Sequence, residues 1–197
     1  MKILLTGFMP FGGESINPSW LAVEKVQAPE HLELIKNELP VTFQGARREL
    51  CALMDEFRPD CVVSVGQAGG RKQVTVEYVA VNLMDGTDND GVRMQDMPVE
   101  QEGENALFST LPVRDMVHYM REKEIPAARS LSAGAYVCNA VMYAVLSHAK
   151  KQGMNTRCGF IHVPYMPEQT KGKDAPSMPL DEIVRALESA LLTLAQM

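Results

Sequence analysis

Cys138 stands where a cysteine could act as a nucleophile, in the opening turn of a predicted helix that follows Gly134. A helix N-terminus carries partial positive charge, which favours thiolate over thiol, and its free backbone N–H groups can stabilise an oxyanion. Gly134 allows the backbone to turn sharply before the helix. Free cysteines are also among the residues most often buried as small apolar side chains, so position alone leaves both interpretations open. For Cys51, Cys61 and Cys158 the pattern favours burial, because they lie within a predicted helix or at predicted strands.

A histidine and a glutamate lie where they could assist such a cysteine. His162 is near the end of the apolar stretch GFIHVPY, and an imidazole within hydrogen-bond reach of a thiol can act as its base. Glu77 is the one carboxylate in VTVEYVAVN, where it could orient a histidine and stabilise the imidazolium. Alternatively, His162 is a core histidine bonded to a backbone carbonyl, and Glu77 is an edge-strand charge that faces water. Alternation puts Glu77 on a largely apolar face with Thr75, Val79 and Val81, which favours burial.

Two glycine-rich loops could contribute to a ligand site. The stretch GFMPFGGESINPSW places Phe8 and Phe11 after the first predicted strand, where aromatic side chains can line a small pocket or cover the end of a sheet. Its glycine spacing is that of a phosphate loop, but the required Lys-Ser/Thr is missing after the second glycine. The stretch GQAGGRK could hold an anion through its backbone and Arg71.

Strands and helices alternate along the chain, which predicts a single α/β domain over residues 1–197. The predicted strands cover residues 2–6, 32–40, 61–66, 74–84 and 157–163. The predicted helices begin at Asn17-Pro18, cover residues 43–57 and 113–120, begin again near Cys138, and cover residues 180–197. A polar loop is expected at residues 85–91. We therefore expect a mostly parallel sheet between two helix layers, with sites where strands meet loops and helices, at TGFMPFGG, VGQAGGR, SAGAYVCN and IHVPY.

Composition and charge exclude several classes of protein. The 197 residues include 19 Lys and Arg against 25 Asp and Glu, a net charge of −6, and no basic run is longer than Lys150-Lys151. Nucleic-acid binding is not expected, because such proteins usually carry a basic stripe. No apolar stretch approaches the ~20 residues of a membrane-spanning helix, and MKILLTGF is typical of a strand rather than a signal peptide. We expect a cytoplasmic protein with reduced cysteines and, in the absence of C-x-x-C and H-x-x-x-H, no zinc site.

Five stretches in order resemble the pyroglutamyl peptidase I (pyrrolidone-carboxylate peptidase) family of cysteine peptidases. They are LLTGFMPFGGESINPSW, VGQAGGR, VEYVAVN, SAGAYVCNAVMY and GFIHVPYMPEQ, and the similarity runs from residue 1 to about residue 169. The resemblance implies a three-layer α/β/α sandwich with a twisted, mostly parallel or mixed central sheet. It implies a cytoplasmic enzyme, often a homotetramer in bacteria, that removes N-terminal pyroglutamate from peptides without a metal or other cofactor.

The resemblance also implies site residues. The catalytic glutamate, cysteine and histidine of the family fall on Glu77, Cys138 and His162. The apolar pocket for the lactam ring falls on Phe8, Phe11, Tyr136 and Val137, and further polar or backbone contacts are implied near Asn17 and Gln67. The proposed reaction is acyl transfer, in which Cys138 forms a thioester that water then hydrolyses.

One stretch departs from the family pattern. Family members commonly carry a sequence such as D-A-R-I-P-D-N-E-G, whereas this chain has the shorter DGTDNDG at residues 85–91. The arginine and the apolar residue of that pattern have no clear equivalents, so the resemblance does not define one wall of the pocket or any oxyanion or substrate contact made there. Two alternative functions follow. One is a non-catalytic α/β protein that binds phosphate or a nucleoside through GQAGGRK and TGFMPFGG, and the other is a family member that acts on a different N-terminally blocked substrate.

Overall fold

A computed structural model describes residues 1–196, so Met197, at the end of the predicted last helix, lies outside the described residues. The strands are β1 (Lys2–Phe8), β2 (Glu33–Leu39), β3 (Cys61–Gln67), β4 (Val74–Glu77), β5 (Val79–Val81), β6 (Met84–Thr87), β7 (Arg93–Met97), β8 (Ala106–Phe108), β9 (Ala127–Ser130) and β10 (Arg157–Val163). The helices are α1 (Pro18–Lys25), α2 (Phe43–Phe57), α3 (Val113–Glu122), α4 (Val137–Lys151) and α5 (Leu180–Ala195), with a 3-10 helix at Pro167–Thr170.

Six of the strands form one mixed sheet in the order β2-β1-β3-β10-β4-β9. Neighbouring strands are parallel except for β10 and β4, which are antiparallel. Helices α1, α3 and α5 bury one face of the sheet, and α2 and α4 bury the other. This arrangement confirms the predicted three-layer α/β/α fold. Within residues 1–196, no helix has the length and apolar character needed to cross a membrane.

Strand alternation puts the candidate catalytic residues on the face that α4 covers. In β10, Ile161 and Val163 pack toward α1, α3 and α5, whereas Phe160 packs toward α4. His162 shares the face of Phe160, because side chains two residues apart in a strand point the same way. The same rule puts Glu77 of β4 and Gly66 of β3 on this face, so the sheet itself gathers the groups beneath the start of α4.

The prediction of one continuous strand at residues 74–84 is wrong, because the chain changes sheets at Tyr78 and forms two shorter strands, β4 and β5. Up to Glu77 the chain lies in the large sheet, between β10 and β9. The backbone of Tyr78 makes one hydrogen bond to each side. Its N–H donates to Ser130 O at 2.8 Å, and its O accepts from Ser109 N–H at 2.9 Å. Residues 79–81 continue as β5, paired with β8 in a separate two-stranded sheet. Glu77 therefore does not share a face with Val79, and its strand is internal rather than an edge strand.

The predicted loop at residues 85–91 is partly a hairpin, in which β6 pairs with β7. Asp88 at the turn is buried and accepts hydrogen bonds from the backbone N–H groups of Val92 (2.9 Å) and Phe43 (2.9 Å). The second bond caps α2, whose own N-cap residue, Thr42, makes no side-chain cap. A carboxylate at a helix N-terminus also interacts favourably with the helix dipole. This segment thus positions α2 as well as one wall of the site.

Asn139 fixes the first turn of α4 against the end of β5. The fully buried side chain accepts a hydrogen bond from Val81 N–H and donates to Val81 O and Leu83 O, each at 2.9 Å. These backbone groups lie where the chain crosses between two small sheets, and Val81 O also accepts from Leu83 N–H at 2.8 Å. Because Asn139 follows Cys138 directly, this contact sets where the cysteine lies over the sheet.

We predict that Asn139→Ala lowers the free energy of unfolding by about 2–3 kcal/mol, because the partly buried Val81 N–H and Leu83 O lose their partner and Val81 O keeps only Leu83 N–H. Urea unfolding monitored by circular dichroism would measure the change. The matched control is Asn155→Ala, at an exposed asparagine for which we expect a change within about 0.5 kcal/mol. Equal stabilities of the two variants would contradict the role assigned to Asn139.

Candidate active site

A cavity of about 490 Å³ opens where the carboxyl ends of β1, β3 and β10 meet the start of α4. All four stretches that the sequence singled out contribute to its lining. The lining residues are Phe8, Phe11, Asn17, Val41, Gln67, Ala68, Gly69, Arg71, Ser132, Ala133, Gly134, Tyr136, Cys138, His162 and Tyr165. Seven of the nine predicted site residues are among them. The two others, Glu77 and Val137, are fully buried behind the lining.

His162 is held by a buried ion network at the base of the cavity. Its Nδ1 lies 2.8 Å from Oε1 of Glu77, and the two residues are 4% and 0% exposed. Arg71 donates from Nη1 to the same carboxylate oxygen at 2.5 Å and to the Thr75 hydroxyl, and from Nη2 to Ser132 O at 3.1 Å. The arginine therefore joins the turn after β3 to β4 and to the segment that leads into α4.

The network fixes the proton on His162. Burial would raise the pKa of Glu77, but the hydrogen bonds from His162 and Arg71 hold it below its usual value, so the carboxylate is ionised. An ionised carboxylate only accepts, so Nδ1 of His162 carries the proton and Nε2 presents a lone pair. Burial and, to a smaller extent, Arg71 hold the pKa of His162 below its ordinary value, despite the opposing effect of Glu77. The resting imidazole is therefore neutral and able to accept a proton.

One oxygen of Glu77 is left without a partner. Oε2 is buried and makes no hydrogen bond within residues 1–196. The Ser130 hydroxyl is close enough to help lower the pKa of Glu77, but it donates to Ser132 O at 3.2 Å. Because a buried carboxylate without full pairing is costly, Glu77 depends strongly on Arg71 and His162.

Cys138 lies directly above the strand that neighbours His162. The register pairs His162 with Gly66 of β3. A Cβ atom placed on Gly66 would lie 2.9 Å from Sγ of Cys138 and 2.8 Å from the Phe160 ring, closer than real contacts allow. Only glycine therefore lets the thiol approach the sheet at this point, beside the imidazole.

The resting cysteine is a thiol rather than the thiolate that the helix N-terminus alone would favour. Loss of solvation and, to a smaller extent, the negative charge of Glu77 raise the pKa of Cys138 to about 12, against the opposing charge of Arg71. Cys138 is nevertheless only partly buried, because it faces the cavity, where water offsets some of this penalty. The neutral thiol and the neutral His162 form a pair in which attack requires proton transfer from sulfur to Nε2.

The start of α4 also supplies donors for a developing negative charge. Gly134, with a φ of 77°, adopts the left-handed conformation that the sequence required before the helix. The first helical hydrogen bond runs from Ala140 N–H to Tyr136 O at 3.1 Å. The N–H groups of Val137 and Cys138 precede it, so they lie among the unpaired donors of the first turn. An oxyanion formed at Cys138 would be next to them.

Aromatic side chains form one continuous wall of the cavity. The ring centroids of Phe11 and Tyr136 are 6.2 Å apart, and Tyr136 meets Phe43 edge-on at 5.4 Å. A ring stacked between Phe11 and Tyr136 would need a centroid separation of about 7 Å, so the two rings form a single surface rather than a sandwich. Phe8 lies deeper, 6.1 Å from Phe160. Val137, predicted for the pocket, packs in the core instead.

Asn17 and Gln67 differ in what they can offer a ligand. Asn17 caps α1, since Oδ1 accepts from the N–H and hydroxyl of Ser19, and Nδ2 donates to Met9 O at 2.9 Å. Ser19 in turn accepts from Phe8 N–H at 3.0 Å, so Asn17 supports the aromatic wall. Gln67 Oε1 accepts a hydrogen bond from Gln169 Nε2 at 2.8 Å.

The short 85–91 segment closes one side of the wall. The Tyr136 hydroxyl donates to Thr87 O at 3.0 Å. Gly86, with a φ of 132°, passes so close to Tyr136 that an added Cβ would lie 2.8 Å from its ring. Asn89 bonds Val41 O and Pro10 O, both at 3.0 Å, which joins this segment to the loop after β1.

Sequence reasoning missed several parts of the site. It gave Arg71 only a possible anion-binding role, and it did not single out Val41, Tyr165 or Gln169. A signal for Arg71 did exist, because a glutamate predicted to be buried requires a cation, and arginines near it in sequence are few. Within residues 1–196, no three His, Cys, Asp or Glu side chains group so that they could hold a metal ion.

Comparisons with known proteins find similarity to one family of peptidases along almost the whole chain. The family model described as pyroglutamyl peptidase matches residues 1–197. A pyrrolidone-carboxylate peptidase of Thermococcus onnurineus is 50% identical over 198 residues, covering 98% of this chain and 98% of the relative. One of Clostridium perfringens is 46% identical, covering 97% of this chain and 92% of the relative.

Solved structures are similar as well. The crystal structure of Bacillus amyloliquefaciens pyroglutamyl peptidase I has a TM-score of 0.96 at 40% identity, covering 100% of this chain and 97% of that chain. A mutant pyrrolidone carboxyl peptidase from the hyperthermophile Pyrococcus furiosus has a TM-score of 0.95 at 38% identity, covering 100% of this chain and 99% of that chain.

We predict that iodoacetamide alkylates Cys138 of the free protein faster at each step from pH 7 to pH 10, without a plateau near neutrality. The reason is that the thiolate is the reactive form and the pKa of Cys138 is raised to about 12. Peptide mass spectrometry would follow Cys138 separately from Cys51, whose pKa is raised to about 11. A rate that is already maximal at pH 7 would instead indicate a resting thiolate–imidazolium pair.

Proposed function

The chain belongs to the pyroglutamyl peptidase family of cysteine peptidases, and we propose that it removes L-pyroglutamate from peptide N-termini through a thioester on Cys138. One observation carries the proposal. The contact of 2.8 Å between His162 Nδ1 and Glu77 leaves Nε2 as a free base in the cavity that Cys138 also lines. This is the arrangement of nucleophile, base and orienting acid that acyl transfer requires.

The first half of the reaction forms the acyl-enzyme. As Cys138 Sγ attacks the carbonyl carbon of pyroglutamate, its proton moves to Nε2 of His162, and the carbonyl oxygen becomes an oxyanion near the N–H groups that open α4. Glu77 stabilises the imidazolium. His162 then donates its proton to the peptide nitrogen, the C–N bond breaks, and the shortened peptide leaves with a neutral amine.

The second half restores the enzyme. Water takes the place of the departed amine, and His162 removes its proton as it attacks the thioester carbonyl. The C–S bond breaks, free pyroglutamate is released, and His162 returns the proton to Cys138. Each turnover thus consumes one water molecule and leaves all three residues as they began.

The cavity suits a small neutral ring. Pyroglutamate has no charged α-amine, and the cavity lining includes no carboxylate that would bind one. The wall of Phe11 and Tyr136 offers apolar surface for the ring methylenes, and Gln67 offers a polar contact for its amide. The homotetramer and the cytoplasmic location implied by the family resemblance stay predictions.

The anion-binding alternative is less well supported. The guanidinium of Arg71 is already engaged by Glu77, Thr75 and Ser132 O, so its charge is neutralised within the fold. A phosphate would have to compete with a buried carboxylate for it. The stretch TGFMPFGG presents aromatic side chains to the cavity rather than a cationic one.

The test is hydrolysis of an L-pyroglutamyl chromogenic amide, compared with the L-prolyl amide, which lacks the ring carbonyl. We expect the wild type to cleave only the pyroglutamyl compound, Cys138→Ala to lose roughly a thousandfold or more in kcat, and Cys51→Ala to remain fully active. Mass spectrometry of a rapidly quenched reaction should find the pyroglutamyl group on the Cys138 peptide.

No hydrolysis by folded, reduced wild type would overturn the proposal. Cleavage of N-acetyl or N-formyl aminoacyl amides in its place would favour the family member with a different blocked substrate, for which the short 85–91 segment is the structural reason.

The acid limb of the pH profile should report His162. We predict that kcat/KM is retained above, and lost below, an apparent pKa under 6.5, because burial disfavours the charged imidazole. Glu77→Gln should lower that pKa further, since Glu77 raises it, and should lower kcat roughly a hundredfold or more through loss of the tautomer and of imidazolium stabilisation.

The control for this variant is Glu122→Gln, which removes an exposed glutamate 3.3 Å from His118 and should leave the profile unchanged. If the Glu77→Gln profile moved to higher pH, or if its kcat stayed at the wild-type value, the orienting role of Glu77 would be wrong.

A further inference from the structure

Gln169 makes a chain of hydrogen bonds that ends at the cavity. It lies in the 3-10 helix that follows β10 and is buried. Its Oε1 accepts from Met166 N–H at 3.0 Å, and its Nε2 donates to Gln67 Oε1 at 2.8 Å and, at 3.4 Å, to Ile16 O. The catalytic steps described above make no use of this chain.

The direction of every bond in this chain follows from its first member. A backbone N–H can only donate, so the group of Gln169 facing Met166 must be its carbonyl oxygen. The NH₂ end of Gln169 must then face Gln67, and it can only donate. Gln67 must therefore accept this hydrogen bond with its own carbonyl oxygen. Ile16 O, an obligate acceptor beside the same NH₂ group, fixes the same direction from a second side.

The consequence is a donor that faces the cavity. With Oε1 of Gln67 engaged, the other end of its amide is the NH₂ group, which makes no hydrogen bond within residues 1–196. It is not enclosed, because Glu77 Oε2 is the sole fully buried side-chain N or O atom without a partner in that part of the chain. Gln67 lines the cavity, so its free N–H groups are open to a ligand there.

We propose that Gln169 is a positioning residue, which holds the Gln67 amide with its NH₂ group toward the cavity so that the site selects a ring bearing a carbonyl acceptor. The inference rests on the proposed function, and it adds the device that distinguishes a lactam from a pyrrolidine ring. Of the two amide side chains that line the cavity, Asn17 has both polar atoms bonded within the fold, so Gln67 is the one available. A reversed Gln67 amide would present oxygen to the ring carbonyl and repel it.

The decisive variant is Gln169→Glu, which replaces only the side-chain NH₂ group by a carboxylate oxygen. A carboxylate still accepts from Met166 N–H and so keeps the cap of the 3-10 helix, but it cannot donate to Gln67. The Gln67 amide should then rotate to donate to the carboxylate and turn Oε1 to the cavity. We expect KM for the pyroglutamyl amide to rise about tenfold or more with a smaller change in kcat. Gln44→Glu, at an exposed glutamine of α2, is the matched control.

Binding of the bare ring isolates the effect from catalysis. Isothermal titration of Cys138→Ala with 2-pyrrolidone, and with 2-pyrrolidinethione, whose sulfur is a weak acceptor, measures what the carbonyl contributes. We expect 2-pyrrolidone to bind more tightly than the thione, and adding Gln169→Glu to remove most of that difference. A structural role alone would weaken both ligands equally, so the ratio is the diagnostic readout.

A double-mutant cycle tests whether Gln169 acts through Gln67. In a Gln67→Leu background, Gln169→Glu should change the ratio of the two affinities by less than twofold. An undiminished effect in that background, or an unchanged ratio and KM in Gln169→Glu alone, would overturn the inference. Failure of the wild type to hydrolyse the amide while Cys138→Ala still prefers 2-pyrrolidone would refute the proposed function and leave this inference standing.

Discussion

The buried carboxylate of Glu77 is the constraint on which the rest of the site depends. A charge with no exposed surface is tolerated only if other groups replace the lost water, and Arg71 and His162 supply that replacement on one oxygen. Meeting this requirement ties together β4, β10, the turn after β3 and the segment before α4. The same contacts that stabilise the charge therefore orient the imidazole and hold the start of α4 in place.

The second constraint is the close approach of two side chains to the backbone, and it explains the positions of two glycines. Gly66 leaves room for the Cys138 thiol against the sheet, and Gly86 leaves room for Tyr136 against the 85–91 segment. Asn139 then fixes the depth of α4 by bonding Val81 and Leu83. A larger residue at either glycine would move the nucleophile or the wall, although neither glycine takes part in chemistry.

Much of the architecture could be predicted from local pattern, and what could not depended on partners distant in sequence. Helix α2 begins and ends where its apolar spacing predicted, and Asn17 caps α1 as its type predicted. The stretch after Glu77 was predicted wrongly because β-branched residues favour a strand without indicating which sheet it joins. Gln169 was not predicted as a support, since its partner Gln67 lies about a hundred residues earlier and becomes a neighbour only after folding. Arg71 is only six residues from Glu77, and its role as a support was missed although a buried carboxylate requires a cation.

The 85–91 segment contains no Lys or Arg that could stabilise an oxyanion. The backbone of Thr87 in this segment instead accepts a hydrogen bond from the Tyr136 hydroxyl. Arg71 is the one Lys or Arg among the residues lining the cavity, and its Nη1 is committed to Glu77. In the proposed mechanism this leaves the backbone N–H groups at the start of α4 as the principal donors to the oxyanion. The proposed catalysis therefore depends on the position of that helix more than on any cationic side chain.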